Sequence, residues 1–282
     1  MNQSIKTTLT VTGLTLATLT LQGGIVYQQT FGGLTEGDLS GQAGFNDFGN
    51  PDDINVVNGF SLGAPTNYNS IGNITTAPGI VRGPFENPVD DGFLSAAYYN
   101  FNALGINWDT DGEHWISYSF SQAFQATGVQ VLDLGLMDNG FATQMKIGLR
   151  NTTFGVQAGA TGTTTSALGS GQVNFALIQI LTSSSGSDTI NFSIYDTTES
   201  LPTSGWTPEA SATGNISGTS TSFYIAMANF DFAAASSQFD QLVVGESYID
   251  VTGVAVPEPS TYAALAGFLT VGLLILRRRY RG

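Results

Sequence analysis

Cysteine is absent from this 282-residue chain, and histidine occurs once, at His114. The first absence excludes a disulfide scaffold, a thiolate metal site and a cysteine nucleophile. The second excludes most catalytic centres built from histidines. Basic residues are nearly as scarce: 8 Lys+Arg stand against 22 Asp+Glu, a formal net charge of −14. They are also unevenly placed. Lys6 lies near the start and Arg277, Arg278, Arg279 and Arg281 close the chain, which leaves Arg82, Lys146 and Arg150 for everything between. Residues 25–256 therefore carry 21 acids against 3 bases, a net of about −18. A body so charged has no basic footing for phosphates, which excludes nucleic acid as a partner, and it is repelled by anionic lipid surfaces.

What is present is most informative at the two ends. Residues 262–276 (YAALAGFLTVGLLIL) carry no charge, and Thr270 and the Tyr262 hydroxyl are their polar groups. At ~1.5 Å rise per residue this stretch spans about 22 Å as a helix, short of a ~30 Å hydrocarbon core. Thr261 and snorkelling arginines make up the difference. The run is apolar on every side, where a helix packed on a soluble domain shows a polar stripe. Four arginines follow at once, the pattern of a cytoplasmic flank, so the tail is expected inside and the body outside. Before the helix comes Val256-Pro257-Glu258-Pro259-Ser260-Thr261. Its two prolines remove two backbone donors and bias Val256 and Glu258 to extended geometry, giving a stiff exposed peptide just outside the bilayer.

VPEPST, an apolar helix and RRRYRG, in that order over residues 256–282, resemble the PEP-CTERM sorting signal of bacterial exported proteins. The resemblance implies a substrate of an exosortase, a membrane-embedded, transpeptidase-like cysteine protease that removes the helix and basic tail. It assigns Pro257, Glu258 and Pro259 as the recognition motif and Arg277, Arg278 and Arg279 as retention charges, with Arg281 completing the basic tail. It places the protein in the bacterial cell envelope, anchored by the helix before processing and afterwards on the outer surface or in the extracellular matrix, beside exopolysaccharide. The start of the chain agrees. Lys6 makes a minimal positive region, and residues 9–21 form an apolar-to-neutral stretch too short to span a bilayer. Residues 1–24 are therefore read as a signal peptide engaging the secretory translocon.

Between the ends, period-two patterns rich in aromatic and β-branched residues recur, separated by Gly, Asn, Asp, Ser or Pro clusters. They predict strands over 25–31, 93–101, 115–120, 129–137, 145–149, 173–181, 189–195, 223–232 and 238–244. Ile116, Tyr118 and Phe120 share one face of their strand, with Trp115, Ser117 and Ser119 on the other, a half-buried pattern. Residues 173–181 (VNFALIQIL) are apolar on both faces, as in a central strand. No stretch of the body predicts a capped amphipathic helix. The Gly/Thr/Ser run 158–171 reads as a flexible hairpin tip, and no repeat period is present. The expectation is one all-β domain over 25–253, an antiparallel jelly-roll sandwich, followed by the sorting segment 254–282. Residues 31–48 resemble the opening segment, and residues 239–252 the closing strand, of LamG-like, concanavalin A-like envelope domains, the second at Phe239-Asp240, Gly245, Ser247-Tyr248 and Asp250-Val251.

One constellation in the body has chemical potential: Asn107-Trp108-Asp109-Thr110-Asp111-Gly112-Glu113-His114-Trp115. On a strand, Asp109, Asp111 and Glu113 would share a face, and two such carboxylates beside a stacking Trp108 or Trp115 would suit glycoside hydrolysis. The same alternate oxygens make a candidate calcium loop. Gly112 and the Asp-Gly pair favour a solvated turn instead. His114, with no second histidine, carries no metal or triad role. Sequons at Asn73, Asn151, Asn191 and Asn215 are expected by chance in so Ser- and Thr-rich a chain. The reading is an exported, non-enzymatic envelope sandwich with a carbohydrate-binding or structural matrix role, without a cofactor beyond the candidate calcium at Asp109, Asp111 and Glu113. The alternative is a secreted glycan-active enzyme using those three acids, and a third is a tail-anchored protein that is never cleaved.

Overall fold

In the computed structural model of the chain, the described residues are 24–31, 33–39, 41–47, 54–59, 61–68, 79–83, 95–100, 106–122, 130–138, 143–150, 153–158, 161–169, 171–216, 220–229 and 237–254. The proposed leader (all but Gly24), Pro257–Glu258–Pro259, the apolar run 262–276 and the basic tail lie outside them. Among the described residues no helix is long and apolar enough to cross a membrane.

The described chain is all-β with antiparallel pairing, and it forms two sheets. The first contains β1 (Ile25–Gln29), β2 (Gly37–Asp38), β4 (Asn55–Asn58), β5 (Gly79–Gly83), β7 (Gly112–Gln122), β12 (Val173–Thr182), β13 (Asp188–Asp196), β14 (Ala210–Gly214) and β16 (Ser237–Gly245). Its order is β14-β13-β12-β7-β16-β5-β4-β2, with β1 also on β16. The second contains β3 (Phe45–Asp47), β6 (Ser95–Asn100), β8 (Gln130–Asp138), β9 (Thr143–Arg150), β10 (Thr153–Ala158), β11 (Thr161–Ala167) and β15 (Ser220–Asn229), in the order β11-β10-β9-β8-β15-β6-β3. The chain passes repeatedly from one sheet to the other, so sequence neighbours such as β14, β15 and β16 alternate between layers, a winding of jelly-roll type.

One core joins the layers. Ile116, Tyr118 and Phe120 of β7 and Ile178 and Ile180 of β12 meet Leu134, Leu136, Ile147 and Phe154 from the second sheet. Phe154 stacks on Phe120 at 5.2 Å and reaches Phe192 of β13 at 5.4 Å, and Tyr118 stacks on Phe239 of β16 at 4.7 Å. Aromatic pairs of this kind add about 0.5–1.5 kcal/mol each beyond the area they bury.

All nine strands expected from alternation are present, and β12 is the predicted central strand, hydrogen-bonded to β7 and β13 with most of both faces buried. Three expectations are corrected. The 158–171 run is not a loose tip: Thr161–Ala167 forms the edge strand β11 on β10. The closing segment 239–252 is not one strand, because β16 ends at Gly245 and the chain turns into α1 (Tyr248–Thr252), closed by Gly253 in the left-handed region (φ 68°). The outer face of β7 is not solvated either. Ser117 and Ser119 are fully buried, since Ser117 Oγ donates to the Val251 carbonyl of α1 and Ser119 Oγ to the Gly63 carbonyl. A second apolar cluster of Trp115, Phe175, Leu177, Leu201, Tyr248 and Val251 lies on this face, so that loops and a short helix cover part of the first sheet.

Candidate functional site

A cleft of about 510 Å³ opens where the ends of β12 and β13, the loop 197–209 and the edge strand β11 converge. Asn174, Tyr195, Asp196, Glu199, Glu209 and Leu168 are among its lining residues. The loop is built locally. Asp196 Oδ1 accepts from Thr198 N (2.7 Å), Thr198 Oγ1 (2.6 Å) and Glu199 N (3.0 Å), and Glu199 Oε2 accepts from Asp196 N at 2.8 Å. These reciprocal bonds close the turn after β13. The hydroxyl and amide donors of Thr198 hold the Asp196 carboxyl below the usual range. Further on, Leu201 is buried, and its N–H and carbonyl bond the Asn67 side chain at 2.6 and 2.8 Å, which ties the loop to residues 61–68.

Glu209 enters the cleft at the start of β14. Its backbone N–H donates to the Phe192 carbonyl at 2.9 Å and to Ser193 Oγ at 3.2 Å. Burial raises the Glu209 pKa, the Ile194 N–H at 3.4 Å opposes the rise, and the neighbouring Glu199 charge adds to it. Tyr195 stands beside it with its hydroxyl oxygen accepting from Trp206 Nε1 at 3.1 Å, and burial raises its pKa as well. The cleft thus offers carboxylates that accept hydrogen bonds, a carboxyl that protonates more readily than an exposed one, a phenol and the Asn174 amide. None of its lining residues is basic. A concave site with a few convergent polar groups and shifted titrations is the physical profile of a small-molecule or sugar site. Neither Glu209 nor Tyr195 was singled out from sequence, because a lone Glu in TPEASA and a Tyr at a strand end carry no spacing signal.

The residues that the sequence did single out are dispersed among structural tasks. Asn107–Asp111 form a turn, with Asp109 N accepted by Asn107 Oδ1 at 3.1 Å. Asp111 Oδ1 accepts from Ser184 N (2.8 Å) and Ser184 Oγ (3.0 Å), which lowers its pKa. Glu113 lies on β7, where its Oε1 accepts from Trp115 Nε1 and Gln179 Nε2, both at 2.7 Å. The three acids therefore do not share a strand face: two belong to a turn and one to a strand. Among the described residues no group of three His, Asp or Glu is placed to hold a metal ion. His114 begins the inner face of β7, its ring 5.2 Å from that of Trp108, and burial lowers its pKa.

No family model and no curated protein matches this chain. Among solved structures, it is similar to an endo-β-1,4-glucuronan lyase from the fungus Trichoderma reesei (TM-score 0.48, 9% identity, covering 83% of this chain and 100% of that one). It is also similar to the CBM2 module of the evolved Dit of Lactobacillus casei BL23 phage J-1 (TM-score 0.42, 13% identity, 79% and 95% covered). A third likeness is to lectin II from Ulex europaeus (TM-score 0.39, 11% identity, 69% and 98% covered). At these scores the likenesses say nothing about ligand or reaction, and the description of the fold rests on the strand pairing itself.

Proposed function

We propose that this is an exported bacterial envelope protein, delivered through a PEP-CTERM signal and exosortase processing, whose LamG-like, concanavalin A-like sandwich binds a neutral glycan in the edge cleft without chemically altering it. The observation that supports binding most directly is the lining of that cleft. Sugar hydroxyls are donors that carboxylates accept, and Tyr195 and Asn174 supply both senses of hydrogen bond. An acceptor-rich cleft without a base disfavours anionic sugars by simple charge repulsion. Support for export comes from the order of the Pro-Glu-Pro peptide, apolar helix and arginine tail.

A glycan array probed with the full-length protein in detergent tests the binding reading. Neutral oligosaccharides are expected to bind, and Glu209→Gln and Tyr195→Phe are each expected to weaken binding about tenfold while the protein stays folded. Absence of binding to every neutral glycan, or equal binding by the double variant, overturns the reading. Incubation with the bound glycan is expected to release no new reducing ends.

A further inference from the structure

Residues 61–68 lie over the outer face of the first sheet as a segment fastened at both ends. Its Leu62 and Pro65 are buried, and its Tyr68 ring packs on Phe175 of β12 at 5.0 Å. The first fastening is on β16. The pairing of β16 with β7 shifts register after Asp240, and Gln241 takes a φ of 56°. A bulge re-aims the side chains around it, and here both Asp240 and Gln241 reach the segment. Asp240 Oδ2 accepts from Ser61 Oγ at 3.1 Å and Leu62 N at 3.0 Å. Gln241 Nε2 donates to Ser61 Oγ at 3.2 Å and to the Leu62 carbonyl at 3.1 Å. Ser119 Oγ of β7 adds a bond to the Gly63 carbonyl at 3.0 Å.

The second fastening is on the loop that walls the edge cleft. Thr66 N donates to the Glu199 carbonyl at 2.9 Å, and Thr66 Oγ1 lies 2.8 Å from Ser200 Oγ. The Asn67 amide bonds both the N–H and the carbonyl of Leu201. Between the two ends, Gly63 passes so close to Thr197 that a Cβ there would lie 2.8 Å from its methyl carbon. Glu199 lines the cleft, so its backbone is held by the same segment that Asp240 holds. Asp240 is 1% exposed. Tyr68 of the segment faces it as a phenol whose own pKa burial pushes up to about 12. From β7, Ser119 stands opposite it. Arg82 of β5 is in register with Gln238, two positions away, and Asp250 of α1 lies against Gly245, further along β16. Burial dominates and keeps the Asp240 carboxyl neutral up to about pH 7, whereas in water it ionises near ~3.9. Lifting the segment admits water to the carboxyl, so opening is linked to loss of its proton.

We propose that residues 61–68 are a proton-controlled latch on the edge cleft. With Asp240 neutral, the segment is seated and the loop 197–209 is held in the shape that forms the cleft. With Asp240 ionised, the segment lifts and takes residues 199–201 with it. The cleft therefore loosens as pH rises from about 4 to about 7. As a control on glycan capture the latch rests on the edge-cleft reading; as a property of the fold it does not.

Amide hydrogen exchange of the full-length protein in detergent, without glycan, tests the proposal between about pH 4.5 and 8, after correction for the intrinsic pH dependence of exchange. Residues 61–68 and 197–209 are expected to exchange at least about tenfold faster than the central strand β12 at every pH, as a unit that opens below global unfolding. Protection in both is expected to fall together by about a hundredfold up to pH ~7 and then to level off. Asp240→Asn is expected to remove that fall in both. Asn67→Ala is expected to free the loop alone: 197–209 lose protection and their link to pH, while 61–64 keep theirs. Thermal unfolding reports whether each variant is folded, and the wild-type profiles decide for one that is not. Protection independent of pH, a loop that does not follow the segment, or exchange no faster than that of β12 overturns the proposal. So does a fall that survives Asp240→Asn, which would belong to Glu209, whose pKa burial also raises. With no glycan present, failure of the cleft to bind sugar leaves all these outcomes unaltered.

Discussion

Asp240 is 1% exposed on β16, and its Oδ2 accepts from Ser61 Oγ (3.1 Å) and Leu62 N (3.0 Å). It sits at an irregularity in the pairing of β16 with β7, next to Gln241, whose φ of 56° lies in the left-handed region. Burial pushes its pKa up to about 7, against the pull of the Leu62, Ser61 and Gln241 donors. The folded state thus binds a proton more tightly than the unfolded chain, whose carboxyl titrates near ~3.9. Its contribution to stability is then fullest below about pH 4, declines as pH rises, and is lost above about 7. Asp240→Asn is expected to abolish this decline, so urea midpoints of wild type and variant should diverge as pH rises from about 4 to about 7. Parallel profiles would refute it. His114 acts in the opposite sense. Its pKa is lowered by burial, with Glu246 and Glu113 opposing, so its contribution is present above pH ~6.5 and is lost as pH falls. The two groups must be separated by substitution, not read from the wild-type curve.

Between elements, single polar groups bind segments distant in sequence. Asp188, 3% exposed at the start of β13, accepts from Ser183 N at 2.9 Å and Ile216 N at 2.6 Å. It thereby fixes both the β12–β13 turn and the exit of β14. Asp188→Ala strands two amide donors and is expected to cost about 2–4 kcal/mol, read as a lower urea midpoint with an unchanged slope. Gly214 closes the open side of the sandwich: a Cβ there would lie 2.1 Å from the Ala158 carbonyl oxygen of β10. Gly214→Ala is expected to destabilise by about 1–3 kcal/mol through a forced backbone shift. At this scale the long strands were legible. Residues 115–120 and 173–181 declare themselves because alternation, or its loss in a doubly covered strand, reflects burial directly. Strands β2 to β5, of two to five residues, are too short to show a period. Strand β11 (TGTTTSA) has no apolar face of its own and is a strand because β10 offers it an edge. The serines of β7 looked solvent-facing because nothing local announces that α1 and residues 61–68 will cover them.

For the molecule as a whole, delivery and fold are separable. Mass spectrometry of protein recovered from the envelope of the expressing bacterium is expected to show a mature C-terminus lacking residues 262–282. Replacement of Pro257, Glu258 and Pro259 by alanine is expected to leave RRRYRG intact and the protein in the membrane fraction. An intact terminus in the unaltered protein would exclude processing and favour a permanent tail anchor. The sandwich should be indifferent to these changes, since its two layers are joined by the Phe120–Phe154–Phe192 stack and Tyr118 on Phe239, far from the tail in sequence.

Sequence by itself determined the β class, the central strand, the acidic body and the signal-like ends, because composition, periodicity and contiguous motifs are local properties of a chain. Only the tertiary structure decided that Asp109, Asp111 and Glu113 serve a turn and a strand, and that Tyr195 and Glu209 share a cleft. Each of those groupings is made by strand order across a sheet. That order is set by how two apolar faces close on one another, and such a long-range choice leaves no mark on neighbouring residues.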